Sequence, residues 1–347
     1  MNRLLLKGIN IFIAIVFIAF IKGHGQDAHF SQYYSSGLYL NPAMAGADPN
    51  ITFSSNYRTQ WRSIVLPYVT SQLSMIYPIY NSNEQHLGGV GASLFNDRAG
   101  DGNLKTTGFS INGAYNLPLE KHRRQFISFG VQLGFIQKSI DYTNLHWGEQ
   151  FNPFMGFDAN GPNPSVGINT GRTYPDVSAG FFYFFNPQRD LSYSLISAYI
   201  GASAYHINKP NESLYNAWVS KLPVLYKGHA GLSVNVGKHI GISPNALFMM
   251  QYDRMHVNSG LYVSYFTNNK SKNLTPDELT IGAWYRLGDS FIFSTGFGND
   301  YYTLGFSYDL NTSSLRYNTM GRGAYEISMI LHVLKKRKVK RYYTPRI

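Results

Sequence analysis

From residue 50 onward the side chains alternate with a period of two, and the second face of that alternation is small and uncharged. Over Tyr301–Leu310 one face carries Tyr302, Leu304, Phe306, Tyr308 and Leu310, and the other Thr303, Gly305, Ser307 and Asp309. Over Gln125–Gln137, Ile127, Phe129, Val131, Leu133 and Phe135 alternate with Ser128, Gly130, Gln132 and Gly134. His229–Val236 repeats the pattern, and Gly323–Val333 follows it with one break at Ile330. Such alternation marks strands with two different faces. A soluble sandwich usually clothes its outer face in Lys, Glu and Arg. Here the second face is Gly, Ser, Asn, Thr, Gln and Ala. Only 14% of residues are charged, against roughly 25% in an average soluble domain. The expected fold is therefore all-β: an antiparallel transmembrane β-barrel, its large apolar face toward lipid and its small polar face toward a narrow lumen.

Alternating segments fall at 52–61, 69–79, 87–96, 104–118, 125–138, 176–186, 190–206, 224–236, 239–251, 255–267, 278–287, 290–298, 301–310 and 323–334. That gives about fourteen strands, an even number within the range of closed outer-membrane barrels. With the N-terminus in the periplasm, the long 139–175, 207–223 and 311–322 segments fall outside the cell. Asn186–Arg189, Gly237–Lys238 and Asn299–Asp300 become short periplasmic turns. Thr267–Asp277 breaks this rule: either one strand is miscounted or the loop is a contact site. In 139–175, Trp147, Phe151, Phe154, Met155 and Phe157 either pack the loop on the barrel mouth or form a binding surface.

Arg3 and Lys7 precede the apolar run Ile11–Ile21, followed by Lys22-Gly-His-Gly25, the three parts of a secretory signal. The run is too short for a transmembrane helix. Residues 1–25 are expected to be removed, leaving 26–50 before a barrel over 51–334. Within 26–50, Leu40-Asn-Pro-Ala-Met-Ala-Gly46 reads as one capped helical turn: Asn41 caps, Pro42 takes the first position and Gly46 ends it. Asn41, Pro42, Ala43 and Gly46 are expected inside the barrel as a plug-like segment near Arg58, the alternative being a periplasmic surface turn. The tail 335–347 carries Lys335, Lys336, Arg337, Lys338, Lys340 and Arg341, a large share of the formal net charge of +11. This periplasmic tail either contacts an acidic partner or is merely solvated.

No catalytic constellation stands out. The chain has neither G-x-S-x-G nor a P-loop, and Gly288-Asp-Ser290 reads as a tight turn. With no Cys and ten scattered His, neither a cofactor nor a metal site is expected. Asn96-Asp-Arg-Ala-Gly-Asp-Gly102 lacks the spacing of a calcium loop and reads as a turn. One charged group is informative. In the first strand Thr52, Ser54, Asn56, Arg58 and Gln60 share a face. Arg58 then points inward, as do Asp309 and Glu326 on the last two strands. A closed barrel pairs its first and last strands, so Arg58 is expected to meet Glu326 or Asp309 across the seam, in a structural role.

Gln26-Asp-Ala-His-Phe-Ser-Gln-Tyr33, the Asn-Pro-Ala-Met-Ala-Gly element and Tyr57-Arg-Thr-Gln-Trp61 resemble the opening of the PorP/SprF family. The resemblance continues through Phe95–Gly100, Pro175–Tyr183, Tyr199–Ala204, Gly305–Asp309 and Ala324–Ser328. It implies an outer-membrane barrel of the type IX secretion system that supports export or anchoring of cell-surface proteins such as gliding adhesins. It implies partners of three kinds: outer-membrane lipid, a secreted surface protein with a C-terminal secretion signal, and periplasmic peptidoglycan-linked or lipoprotein components. No enzyme activity and no nucleic-acid partner are implied. The Asn-Pro-Ala element is also similar to one in FadL-type channels, so the rival expectation is a FadL-like or porin-like barrel for small-solute uptake.

Overall fold

The computed structural model describes residues 27–333 apart from 64–65, 101, 121–124, 144, 159–160, 162–169, 187–195, 216, 238, 268–274 and 315. The expected signal segment and the basic residues Lys335–Arg341 lie outside the described residues.

Alternation delivers strands throughout. In chain order they are β1 (Ile51–Gln60), β2 (Tyr68–Tyr80), β3 (His86–Ala99), β4 (Leu104–Pro118), β5 (Gln125–Ser139), β6 (Phe151–Asn152), β7 (Gly156–Phe157) and β8 (Gly171–Phe185). Then follow β9 (Ile196–Tyr205), β10 (Leu225–Val236), β11 (Ile240–Gln251), β12 (Arg254–Phe266), β13 (Glu278–Arg286), β14 (Ser290–Gly298), β15 (Tyr302–Asn311) and β16 (Arg322–Val333). All except the β6–β7 hairpin join one closed antiparallel barrel of fourteen strands. It closes by pairing β1 with β16, from Ile51 opposite Val333 to Gln60 opposite Ala324. Closure leaves no sheet edge to expose backbone groups to lipid.

Two boundaries correct the sequence reading. The sixth barrel strand, β8, starts at Gly171, not at 176, because its ladder to β5 runs up to Ser139 opposite Gly171. Pro175, which reads as a breaker, sits within that ladder opposite Phe135. Likewise β3 continues to Ala99, since Asn96, Asp97, Arg98 and Ala99 pair with Thr107, Thr106, Lys105 and Leu104. Those residues are strand, not turn. The strand expected from 190 is described from Ile196.

The connections 140–170, 206–224 and 312–321 lie at one end, hereafter the loop end. In 140–170, Trp147 packs on Tyr142 and Phe157 on His146, whereas Phe154 and Met155 at the β6–β7 tip are 97% and 86% exposed. The loop therefore divides its aromatics between packing and display. Thr267 and Asp277 close the base of the β12–β13 connection at the opposite end through a 2.8 Å backbone bond. No strand is miscounted there, so this long connection sits among short turns.

The outward positions form an apolar band that includes Tyr57, Leu73, Phe109, Phe129, Val131 and Leu133. The buried apolar residues gather instead inside the barrel, where Tyr33 and Leu40 cluster with Leu247, Tyr262 and Trp284, and Ala43 and Met44 with Phe182 and Tyr199. This interior core exists because the N-terminal residues 27–50 run along the inner wall.

Candidate functional site

The N-terminal strap, residues 27–50, descends from the loop end to the opposite end before β1 climbs back. Its first described residue, Asp27, donates its backbone N–H to Gln251 Oε1 at the loop end of β11, at 3.0 Å. Its last turn bonds at the far end, where Asp48 Oδ2 accepts from Thr52 Oγ1 at 2.6 Å and lies 3.1 Å from His332 Nδ1. The start of β1 and the start of the strap are thus at opposite ends of the barrel. The expectation of a periplasmic N-terminus is corrected accordingly, since the first described residue lies at the end that carries the long loops.

Three contact zones hold the strap between those ends. At the seam, Ser31 and Gln32 donate their backbone N–H groups to the two carboxylate oxygens of Glu326, at 2.7 and 3.2 Å. Gln32 Nε2 also donates to Glu326 O, and Ser328 Oγ to Gln32 Oε1. Arg58 reaches Asp309 at 2.9 Å and Glu326 at 3.4 Å, and donates to Ser31 Oγ. Arg286 adds contacts to Asp309 at 3.2 Å, Asp289 at 2.9 Å and Ser31 Oγ at 2.7 Å. Arg58, Asp309 and Glu326 are each at most 1% exposed. Buried charges of this kind persist only when paired and fully hydrogen-bonded, and Glu326 accepts from four donors: Ser31 N, Gln32 N, Asn56 Nδ2 and Arg58.

Midway, Asn41 Nδ2 donates to Phe181 O on β8 at 2.8 Å and lies 3.1 Å from His229 Nε2 on β10. Asn41 Oδ1 accepts from Ala43 N at 2.9 Å and caps the helical turn Pro42–Gly46. Lower down, Ser128 Oγ donates to Ala43 O and Asn116 Nδ2 to Gly46 O. The wall is cut to this backbone: a Cβ on Gly130 would stand 2.5 Å from Ala43 Cα, and one on Gly91 2.7 Å from Leu38 Cδ1. Asn41, Pro42, Ala43 and Gly46 are all buried. They face β3, β4, β5 and β8–β10, not Arg58, which contacts Ser31 ten residues earlier in the strap. The position expected beside Arg58 is corrected accordingly.

At the loop end His206, the residue after β9, lies between two carboxylates. Its Nε2 is 2.6 Å from Asp27 Oδ2 and its Nδ1 2.7 Å from Asp176 Oδ1. Burial alone would push the imidazole pKa down, but the Asp27 charge and the bonds to both acids lift it to about 10. Asp27, which burial would raise, is pulled to about 2 by the His206 charge and hydrogen bond, with Lys227 adding to the effect. The pair is an ion pair at neutral pH. Lys227 itself donates to Tyr39 O at 2.6 Å, its ammonium 4.1 and 4.2 Å from the Tyr39 and Tyr205 ring centres.

Sequence reasoning missed Ser31, Gln32, Arg286, Lys227 and the Asp27–His206–Asp176 triad. Parity could have found Arg286, which shares the inward face of β13 with Trp284, and Lys227, which shares that of β10 with His229. The triad had no such signal, because His206 lies past a strand end and Asp27 in a segment without periodicity. Small cavities beside His29 and Phe30 have room for about one water each. Among the described residues no group of His, Cys, Asp and Glu could hold a metal.

A family model described as "Type IX secretion system membrane protein PorP/SprF" matches residues 22–331. No curated protein matches the sequence. Among solved structures, the chain is similar to the toluene transporter TodX of Pseudomonas putida, at 10% identity, 89% of this chain, 95% of that chain and a TM-score of 0.47. It is similar to the toluene transporter TbuX of Ralstonia pickettii, at 9% identity, 86% and 92% coverage and a TM-score of 0.45. A FadL homologue of Pseudomonas aeruginosa gives 10% identity, 86% and 94% coverage and a TM-score of 0.44.

Proposed function

The chain belongs to the PorP/SprF family of type IX secretion system membrane proteins, and from that premise we propose that it works as a sealed scaffold. It is an outer-membrane β-barrel component of that system. In the proposal it supports export or anchoring of surface proteins such as gliding adhesins by holding them, not by conducting them. The observation that supports this is the strap: residues 27–50 are bonded to the inner wall from one end to the other, and in this reading they plug the lumen. The loop end faces outside and meets a secreted protein bearing a C-terminal signal. The opposite end and the tail Lys335, Lys336, Arg337, Lys338, Lys340 and Arg341 meet periplasmic peptidoglycan-linked or lipoprotein components. The signal segment 1–25 delivers the chain to the outer membrane.

A disulfide tests the plug. The native chain has no Cys, so Ser35→Cys with Asn56→Cys, side chains now 2.7 Å apart, forms one defined link between strap and wall. Oxidised cells carrying this pair are expected to keep their full complement of surface proteins, compared by surface proteomics with a gene deletion. Loss of surface proteins on oxidation, restored by reductant, would show that the strap must leave the lumen. An unchanged surface proteome in the deletion strain, with altered uptake of small solutes, would instead favour the uptake alternative.

A further inference from the structure

We propose that Arg98 and Lys105 form a binding site for the phosphate of a lipid headgroup in the leaflet at the loop end. The two residues are directly opposed on β3 and β4, so their side chains share one face. That face is outward, because the rungs below it on the same parity carry Leu94 opposite Phe109 and Ala92 opposite Ile111, with Leu94, Phe109 and Ile111 exposed to lipid. Between the apolar and cationic rungs stands Asn96 opposite Thr107, joined by a 2.8 Å bond from Asn96 Nδ2 to Thr107 Oγ1. The outer wall therefore passes in three steps from apolar to amide and hydroxyl to cation.

Spacing places the last step at headgroup depth. Each rung lies two residues, about 7 Å, beyond the one before it along the strand. With a strand tilt of about 40°, the Arg98–Lys105 rung stands about 10 Å above Leu94–Phe109 along the membrane normal. That is the zone where lipid phosphates lie and apolar tails do not.

The pair is also electrostatically incomplete as it stands. Like charges directly opposed on neighbouring strands repel. Asp97, the residue just before Arg98, faces the lumen and accepts from Thr70 Oγ1 at 2.6 Å. Among the described residues neither Arg98 nor Lys105 has a carboxylate partner. The contrast with Arg58 and Arg286 is direct, since those inward cations each meet at least two acids. A phosphate bridging a guanidinium and an ammonium removes the repulsion and uses charge-assisted hydrogen bonds from both. The wall around the pair faces lipid, so the anion that reaches it comes from a lipid and not from a soluble protein.

The test uses the full-length protein in nanodiscs of phosphatidylcholine with a minor fraction of diphosphorylated lipid A, counting lipid A retained per barrel by native mass spectrometry. R98Q/K105Q is expected to lower retention roughly tenfold, the loss of two charge-assisted contacts. R98K/K105R, which keeps both charges, is expected to retain the lipid, and added inorganic phosphate is expected not to displace it. Equal retention in R98Q/K105Q, or displacement by inorganic phosphate alone, overturns the site. If the double variant does not give the heat-modifiable mobility of a closed barrel, K105Q alone is read on the same scale.

Discussion

Replacing His206 by Ala should release the loop-end tip of the strap at neutral pH while the barrel stays closed. The magnitude follows from the imidazole's two carboxylate partners at 2.6 and 2.7 Å. Its pKa stands at about 10 against an ordinary 6.5. A difference of about 3.5 units corresponds to about 5 kcal/mol at about 1.4 kcal/mol per unit. The Asp27 side chain is 26% exposed, and water screens that half of the triad. We therefore expect about 2–3 kcal/mol, or roughly 30–150-fold in the population of the open tip. The sign of the pH dependence is fixed. A raised imidazole pKa contributes in full below about 6.5 and is lost as pH rises through about 10. The depressed Asp27 pKa contributes above 3.8 and is lost as pH falls through about 2. The latch is strongest between those two ordinary values and weakens as the medium becomes alkaline.

The absence of Cys supplies the assay. Ala28→Cys places a single thiol beside Asp27, and its maleimide labelling rate reports how often the tip opens. Rates are divided by those of a free peptide carrying the same Cys, which cancels the thiolate's own titration. At pH 7 the H206A background should label about two orders of magnitude faster than the parent. Between pH 7 and 10 the parent should rise toward H206A, so that the ratio between the two rates narrows. Equal rates at pH 7, or a parallel rise in both proteins, would refute a latch centred on His206.

Three further outcomes follow from the same contacts. Arg58→Met leaves Glu326 and Asp309 short of a counter-charge and should cost about 3–5 kcal/mol; its thermal midpoint in detergent should recover in part when Glu326→Gln and Asp309→Asn are added, and no recovery would mean that packing governs the seam. Gly130→Val puts a branched side chain where Ala43 backbone lies, so proteolysis within 27–50 should speed up while trypsin sites in the barrel stay protected; unchanged strap cleavage would place the segment elsewhere. Deleting Lys335–Arg341 should leave the barrel inserted and heat-modifiable yet reduce recovery of periplasmic partners in pull-downs, and equal recovery would make the tail a solvated end.

The wall of this protein was legible because lipid enforces a strict code. Within the membrane-facing band most outward residues are large and apolar, so Phe129, Val131, Leu133 and Phe135 declare their face without help from the rest of the chain. The seam was legible for the same reason: parity put Arg58, Asp309 and Glu326 inside, and topology joined β1 to β16. The strap obeys no period, because each of its residues answers to a different strand. Ser31 answers to Glu326, Asn41 to Phe181 and His229, Ala43 to Gly130 and Ser128. Nothing local in Gln26–Tyr33 announces such long-range partners.

The interior gives the small polar composition of the narrow lumen its physical reason. Gly89, Gly91, Gly130 and Gly180 are small because strap atoms occupy the space in front of them, and Ser128, Asn116 and Asn56 are polar because strap and seam groups need partners. A water-filled channel would tolerate larger side chains at those glycines; a channel filled by its own chain does not. The constraint runs in both directions. Without residues 27–50, Glu326 would lose two of its four donors and Asn116 its bond to Gly46 O, and without the glycines the strap backbone could not approach. Strap and wall are one core, with the small inward residues as its packing surface. The two ends of the closed barrel are thereby tied by a single descending segment, from Asp27 at His206 to Asp48 at His332.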